Sequence, residues 1–184
     1  SALGFYWAEQ HPESVRSIAY MEGIVCPLSW DNWPESARGI FKGFRSEKGE
    51  ELILQRNLFI EAVLPSSVMR SLSDTEMQHY RAPFSSADDR QPTLNGPRQT
   101  PLDGEPDNMV DLVSSYGQWL SNNEKLPKLF INAEPGSILV GAAREFCRGW
   151  PNQSEITVKG SHFIQEDSPA EIGQAIATWL DTIN

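Results

Sequence analysis

The chain has 184 residues, of which 39% are hydrophobic, which suits one globular domain with a small insertion. Its formal net charge at pH 7 is −10. Nucleic acids and anionic membranes bind clustered Lys and Arg side chains, so this acidic balance argues against both as partners. The sequence has no apolar run that would span a bilayer, and its first residues do not resemble a signal peptide. We therefore expect a soluble protein, cytoplasmic or periplasmic.

Strand and helix patterns alternate at both ends of the chain. The first residues, Ser1–Ala8, have the pattern of a buried helix, and the apolar centre of Val15–Val25 predicts a buried parallel strand. Near the other end we predict helices over residues 107–120, 139–149 and 168–181, and strands over residues 128–133 and 155–159. This order indicates an α/β fold, in which helices cover a mostly parallel sheet on both faces.

Residues 28–106 have a different character and predict an inserted helical subdomain without strands. Helical patterns cover residues 34–45, 48–64 and 74–80. Residues 85–106 are rich in Pro, Gly, Asp and Ser, so we expect a loop there. The predicted organisation is a core formed by residues 1–27 and 107–184, with the helical insertion between its two parts.

The two cysteines, Cys26 and Cys147, lie far apart in the sequence. We expect both to be buried free thiols, the usual state of a lone cysteine. A zinc site needs more ligands at closer spacing, so the sequence predicts no metal site.

Of the three histidines, only His162 follows a predicted strand. His11 precedes a proline at a helix end and His79 lies in a polar helix, so we expect both at the surface. A Gly-Ser turn before His162 should place it at the carboxyl edge of the sheet, where the active sites of open α/β sheets lie. A histidine there can act as a general base because it titrates near neutral pH. A loop histidine bonded to backbone groups is an equally weighted alternative.

A base histidine needs an acid to orient it, and two glutamates end predicted strands. Either Glu22 or Glu134 could hold the Nδ1 proton of His162, and the residues alone leave the choice open. Each could instead be a hydrogen-bonded structural carboxylate. No nucleophile is apparent, since a nucleophile elbow joins a strand to a helix and only the helix is present. Ser1 would lie beyond such an elbow and is disfavoured.

Several segments, distributed over the whole chain, match a known pattern. They are Ser1–Ala8, Tyr20–Ile24, Trp30–Pro34, Arg81–Phe84, Pro97–Gln99, Pro127–Gly136 and His162–Pro169. In this order and spacing they resemble the haloalkane dehalogenases, a family of α/β-hydrolases. The resemblance is to the subgroup whose catalytic acid is a Glu after the sixth strand, and most of all to the type that dechlorinates products of hexachlorocyclohexane.

The resemblance implies an α/β-hydrolase fold with a helical cap, and the hydrolysis of haloalkanes to an alcohol, a halide and a proton. In the family, the Asp of an Asp-Trp-Gly elbow attacks the halogen-bearing carbon and forms an alkyl-enzyme ester. The elbow directly precedes the helix that matches Ser1 onward, so we expect the nucleophile in an upstream segment that this chain needs. His162 matches the base that activates water, and Glu22 matches the acid that holds it. Halogenated hydrocarbon and halide are the implied partners, without a cofactor or metal.

The implied cap covers an apolar pocket, which suits substrates with few hydrogen-bonding groups. The residues that match pocket or tunnel positions are Trp33, Phe41, Phe59, Val63, Pro97, Ile138 and Phe163. Without the resemblance, each would be read as ordinary core. The chain departs from the pattern at Gly96 and Ser67, where relatives usually carry larger side chains, so we expect a wider pocket or a looser cap.

Other functions stay open at this point. A coelenterazine-type luciferase related to the family uses the same triad positions, although the segment Ile131–Gly136 favours the dehalogenase. An inactive fragment that needs the N-terminal part is a non-catalytic alternative. An epoxide hydrolase ranks third, because it needs paired cap tyrosines and Tyr80 is the only tyrosine in the predicted insertion.

Overall fold

A computed structural model describes residues 1–183 and contains a parallel sheet whose central strand is β2. The strands are β1 (Ile18–Tyr20), β2 (Lys128–Pro135) and β3 (Gln153–Gly160), in the order β1-β2-β3. Strand β1 pairs with the start of β2, and β3 pairs with β2 along its full length. The short parallel strand predicted at the apolar centre of Val15–Val25 is confirmed, because β1 lies there and pairs with β2.

Helices lie before, between and after the strands. They are α1 (Ala2–Gln10), α2 (Glu35–Arg45), α3 (Leu64–Ser66), α4 (Asp74–Arg81), α5 (Gln91–Gln99), α6 (Asp107–Asn122), α7 (Gly141–Arg148), α8 (Ile164–Asp167) and α9 (Pro169–Thr182). Within the described residues, no helix is long and apolar enough to cross a bilayer.

Successive residues of β2 contribute to two different hydrophobic clusters, as expected for a strand buried on both faces. Phe130 packs into the larger cluster with side chains of α1, α6 and α7, including Phe5 and Tyr116. Leu129 and Ile131 pack into a second cluster with side chains of α9. The predicted parallel sheet with helices on both faces is thereby confirmed.

Residues 28–106 are helical, apart from turns and isolated bridges from Leu102 to Leu28 and to Glu105. Their apolar side chains continue the larger cluster, which includes Phe41, Phe44 and Leu94. The inward faces of these helices therefore pack against the sheet domain. The division at residues 27 and 106 itself stays a prediction.

The helical pattern over residues 48–64 is confirmed on both sides of Asn57, but this residue interrupts it, so a single helix over the segment is wrong. Two π-helical turns, Glu51–Gln55 and Phe59–Val63, lie on either side of this residue. Asn57 has a φ of +52°, in the left-handed region that Asn tolerates better than most residues. The helical pattern of apolar residues continued through this position and concealed the break.

The loop predicted over residues 85–106 is also wrong, because it contains α5. Pro92 lies in the first turn of that helix, where a missing N–H does not cost a hydrogen bond. At the other end, Arg45 Nη1 donates hydrogen bonds to the carbonyls of Pro97 and Thr100. Contacts from a distant helix thus satisfy carbonyls that the local composition leaves without partners.

Both cysteines are free thiols. Cys147 is fully buried, as predicted, and burial raises the pKa of its thiol to about 11. Cys26 is half-buried, so the prediction is wrong in degree for this residue.

Lys128, the first residue of β2, has no exposed surface. Its Nζ donates hydrogen bonds to the carbonyls of Asn123, Leu126 and Pro151, at 2.7, 3.1 and 2.8 Å. Burial lowers the pKa of Lys128 to about 8, while the carbonyls stabilise the ammonium form. The side chain joins the start of the central strand to the two loops beside it.

We expect Lys128→Met to destabilise the full-length protein by about 2 kcal/mol or more, because it leaves buried carbonyls without donors. Lys125→Met removes an exposed ammonium from the same segment and should change stability by less than about 0.5 kcal/mol. Urea unfolding of both variants measures the difference. Equal losses would show that the buried hydrogen bonds of Lys128 contribute nothing specific.

Candidate active site

Two titratable side chains meet at the carboxyl edge of the sheet. Glu22 follows β1 and His162 follows β3, each by two residues. Parallel strands end at the same edge of a sheet, so the loops that follow them lie side by side. His162 Nδ1 lies 3.2 Å from Glu22 Oε2, although the two residues are 140 positions apart.

The Glu22 carboxylate is almost completely buried, with 3% of its side chain exposed. Its Oε2 accepts hydrogen bonds from the backbone N–H groups of Ser137 and Ile138, at 3.1 and 2.8 Å, besides its contact with His162. These amides offset part of the cost of burying the charge. Glu134, the alternative acid, is exposed to solvent at the end of β2.

The backbone at Glu22 and Gly136 adopts positive φ angles of +40° and +73°. At Gly136 a Cβ would lie 3.1 Å from Glu22 Oε1, 2.8 Å from Arg144 Nη2 and 2.9 Å from the carbonyl oxygen of Ala133. Glycine therefore allows the turn after β2 to present the amides of Ser137 and Ile138 to the buried carboxylate.

The His162 ring is oriented by its contact with Glu22. A neutral imidazole that donates its Nδ1 proton to a carboxylate has an unprotonated Nε2, which can accept a proton. About a quarter of the side chain is exposed (26%), and the ring also packs against Phe163. The arrangement would allow His162 to act as a base while the buried Glu22 carboxylate fixes the orientation of its ring.

His162 lines two adjoining cavities of about 400 and 420 Å³. The first cavity lies between the helical insertion and the sheet edge, and the second extends towards Glu22 and α5. The predicted pocket residues that line the first cavity are Trp33, Phe41, Phe59, Val63, Ile138 and Phe163. Pro97 lines the second cavity, so the structure brings all the predicted site residues to one or other cavity.

The two positions that depart from the resemblance also face these cavities. Ser67 lines the first cavity and Gly96 lines the second. A Cβ added at Gly96 would have no described atom within 4 Å, so the space beside it is open. His11 and His79 are exposed, as the sequence predicted.

A group of hydroxyl side chains also lines the first cavity, and the sequence did not identify it as a group. They are Ser36, Ser66, Ser67, Ser137 and Ser161, of which only Ser67 was singled out. Isolated serines carry no spacing signal, so the sequence offered nothing to find them by. Within residues 1–183, no three His, Cys, Asp or Glu side chains form a cluster that could hold a metal ion.

Proteins of known activity resemble the chain closely. It is 55% identical over 181 residues to a haloalkane dehalogenase of Sphingobium indicum and 50% identical over 185 residues to one of Mycolicibacterium smegmatis. The chain is therefore similar to haloalkane dehalogenases over nearly its whole length. The alignments cover 98% and 99% of the chain but 61% and 59% of those relatives, so it spans about three fifths of their length and matches their carboxy-terminal part.

Solved structures agree with this similarity and confirm the α/β-hydrolase fold. A haloalkane dehalogenase of Bradyrhizobium elkani superposes with a TM-score of 0.93 at 37% identity, covering 99% of this chain and 64% of that chain. No family model matches the chain. A coelenterazine h 2-monooxygenase of Renilla reniformis is more distant, at 36% identity over 187 residues, and the chain covers 59% of its length.

Gly136→Ala should disturb the buried carboxylate, because the new methyl group would contact Glu22 Oε1 and Arg144. Gly104→Ala is a matched control, since Gly104 has a φ of +86° but no described atom near its Cβ position. Each variant should lose about 1–2 kcal/mol through left-handed strain. Gly136→Ala should lose a further 1 kcal/mol or so through overpacking, measured by urea unfolding of the full-length protein. Equal losses would contradict the close packing at Glu22.

Proposed function

We propose that the full-length protein hydrolyses haloalkanes to an alcohol, a halide and a proton, with His162 as general base and Glu22 as the acid that orients it. The observation that supports this most directly is the contact between Glu22 Oε2 and His162 Nδ1, beside an apolar cavity at the sheet edge. The close similarity to haloalkane dehalogenases supports the reaction class.

The reaction would begin with a carboxylate that we expect in the segment upstream of residue 1. One of its oxygens forms a bond to the halogen-bearing carbon while the carbon–halogen bond breaks, and the halide leaves with the electron pair. The product of this step is an alkyl ester of the protein. His162 is not required for it, since no proton moves.

Hydrolysis of the ester is the step assigned to His162. Its Nε2 takes a proton from water as the water oxygen attacks the ester carbonyl. The imidazolium, stabilised by Glu22, then returns the proton to the departing alkoxide, which leaves as the alcohol. The regenerated carboxylic acid loses its proton to solvent, which accounts for the third product.

Apolar side chains around the first cavity suit a substrate with few hydrogen-bonding groups. Trp33, Phe41 and Phe59 contribute aromatic surface, and Phe41 packs against Trp33 with ring centroids 4.8 Å apart. A light-emitting oxidation of an imidazopyrazinone is the second candidate, because the Renilla monooxygenase shares 36% of the aligned residues.

We expect the His162→Phe variant to release about one halide per protein from 1-bromobutane and then stop, because only ester hydrolysis needs the base. The wild-type protein and the control His79→Phe, which changes an exposed histidine, should release halide continuously. Rapid-mixing halide measurements distinguish the burst from steady release.

Steady release by His162→Phe would contradict the assigned base. Light from an imidazopyrazinone substrate, without halide release from 1-bromobutane or 1,2-dibromoethane, would favour the monooxygenase. If the full-length protein gives neither light nor halide, it is an inactive relative of these enzymes.

The open space beside Gly96 should set the size of the substrate. Gly96→Phe places a bulky side chain at a position that lines the second cavity, so we expect turnover of bromocyclohexane to fall by about 10-fold relative to 1-bromobutane. Gly39→Phe is the matched control, because Gly39 is an exposed helical position outside both cavities. The ratio of kcat/KM values for the two substrates measures the effect. An unchanged ratio in Gly96→Phe would show that this space does not select the substrate.

A further inference from the structure

Hydrogen bonds to residues outside it hold the short loop Ser161–Phe163, which carries His162. The N–H of Ser161 donates to Asp167 Oδ2 at 3.0 Å. The N–H groups of His162 and Phe163 both donate to the carbonyl of Ser67, at 3.1 Å each. Three successive amides after β3 thus take their positions from Asp167 and from the segment that contains Ser67.

Asp167 also bonds directly to the segment that contains Ser67. Its second oxygen, Oδ1, accepts a hydrogen bond of 2.8 Å from the N–H of Met69, two residues after Ser67. One carboxylate therefore bridges the His162 loop and the segment Ser67–Arg70, which follows α3. Together with the Ser67 carbonyl, it closes a ring of hydrogen bonds around the backbone of the proposed base.

A second layer of contacts lies outside this ring. Arg70 Nε donates to the carbonyl of Glu166 at 2.8 Å, and its guanidinium also pairs with the carboxylates of Glu166 and Glu76. Tyr80 donates a hydrogen bond to the Glu166 carboxylate. These groups are largely exposed or half-buried, so each contributes little alone. They support the same connection between the helical insertion and α8.

We propose that Asp167 is a positioning residue for His162, which it holds through Ser161 against the segment Ser67–Arg70. This inference rests on the proposed function. The Nε2 atom must meet a water molecule beside the ester carbonyl, and a displacement of about 1 Å can cost about 100-fold in rate. The formation of the ester does not use His162, so a displaced loop should slow hydrolysis selectively.

The test is Asp167→Asn in the full-length protein, with halide release from 1-bromobutane as the readout. Asparagine keeps the shape of the side chain but replaces one acceptor oxygen by a donor, so one of the two amides loses its bond. We expect the burst to stay near one halide per protein while the steady rate falls by about 10-fold or more. Asp181→Asn, an exposed position in α9, is the matched control and should leave both unchanged.

A smaller change at the surface gives a second measurement that does not depend on how well Asp167→Asn folds. Arg70→Gln removes the ion pairs to Glu166 and Glu76 but keeps both amide bonds to Asp167. We expect the same selective fall in the steady rate, limited to about 2- to 5-fold, as suits exposed ion pairs.

The two phases of halide release separate positioning from folding. A burst and a steady rate that fall in equal proportion in both variants would show only a loss of folded protein and would overturn the proposal. Unchanged phases in Asp167→Asn would overturn it as well. Absence of halide release from wild type and Asp181→Asn alike would instead remove the proposed function, and with it the role of Asp167.

Discussion

The cost of burying one carboxylate governs the arrangement of the site. Glu22 has almost no access to water, so its charge must be compensated by protein groups. The compensation comes from His162 and from the amides of Ser137 and Ile138, which lie 140, 115 and 116 positions further along the chain. Ends of all three strands must therefore be correctly placed before this charge is tolerated. The same requirement brings the proposed base and its acid together beside the cavity.

Several features could be predicted because their physical signals are local. The strand that begins at Lys128 is apolar and buried, and the strand that begins at Gln153 is bounded by turn residues. A parallel sheet follows from their alternation with helices. The position of His162 followed from the rule that loops after parallel strands gather at one edge. By contrast, the choice between Glu22 and Glu134 needed the resemblance, because both glutamates end strands and burial distinguishes them only in the folded chain.

Features that depend on distant partners could not be predicted. The helix α5 is completed by Arg45, whose role is invisible in the Pro-rich segment that it supports. The left-handed Asn57 lies within an uninterrupted helical pattern of apolar residues. Likewise, Asp167 accepts hydrogen bonds from the amides of Ser161 and of Met69, which lies 98 positions earlier in the chain. No spacing rule connects these residues.

The proposed reaction passes through an ester that forms without His162 and is hydrolysed with its help. The most direct measurement is intact-mass analysis of full-length His162→Phe after exposure to 1-bromobutane, with proteolysis to locate the modification. The proposed reaction should leave the mass gain of a single butyl group on a carboxylate upstream of residue 1. An unmodified protein, or a butyl group on a side chain of this chain such as Ser1, would contradict it.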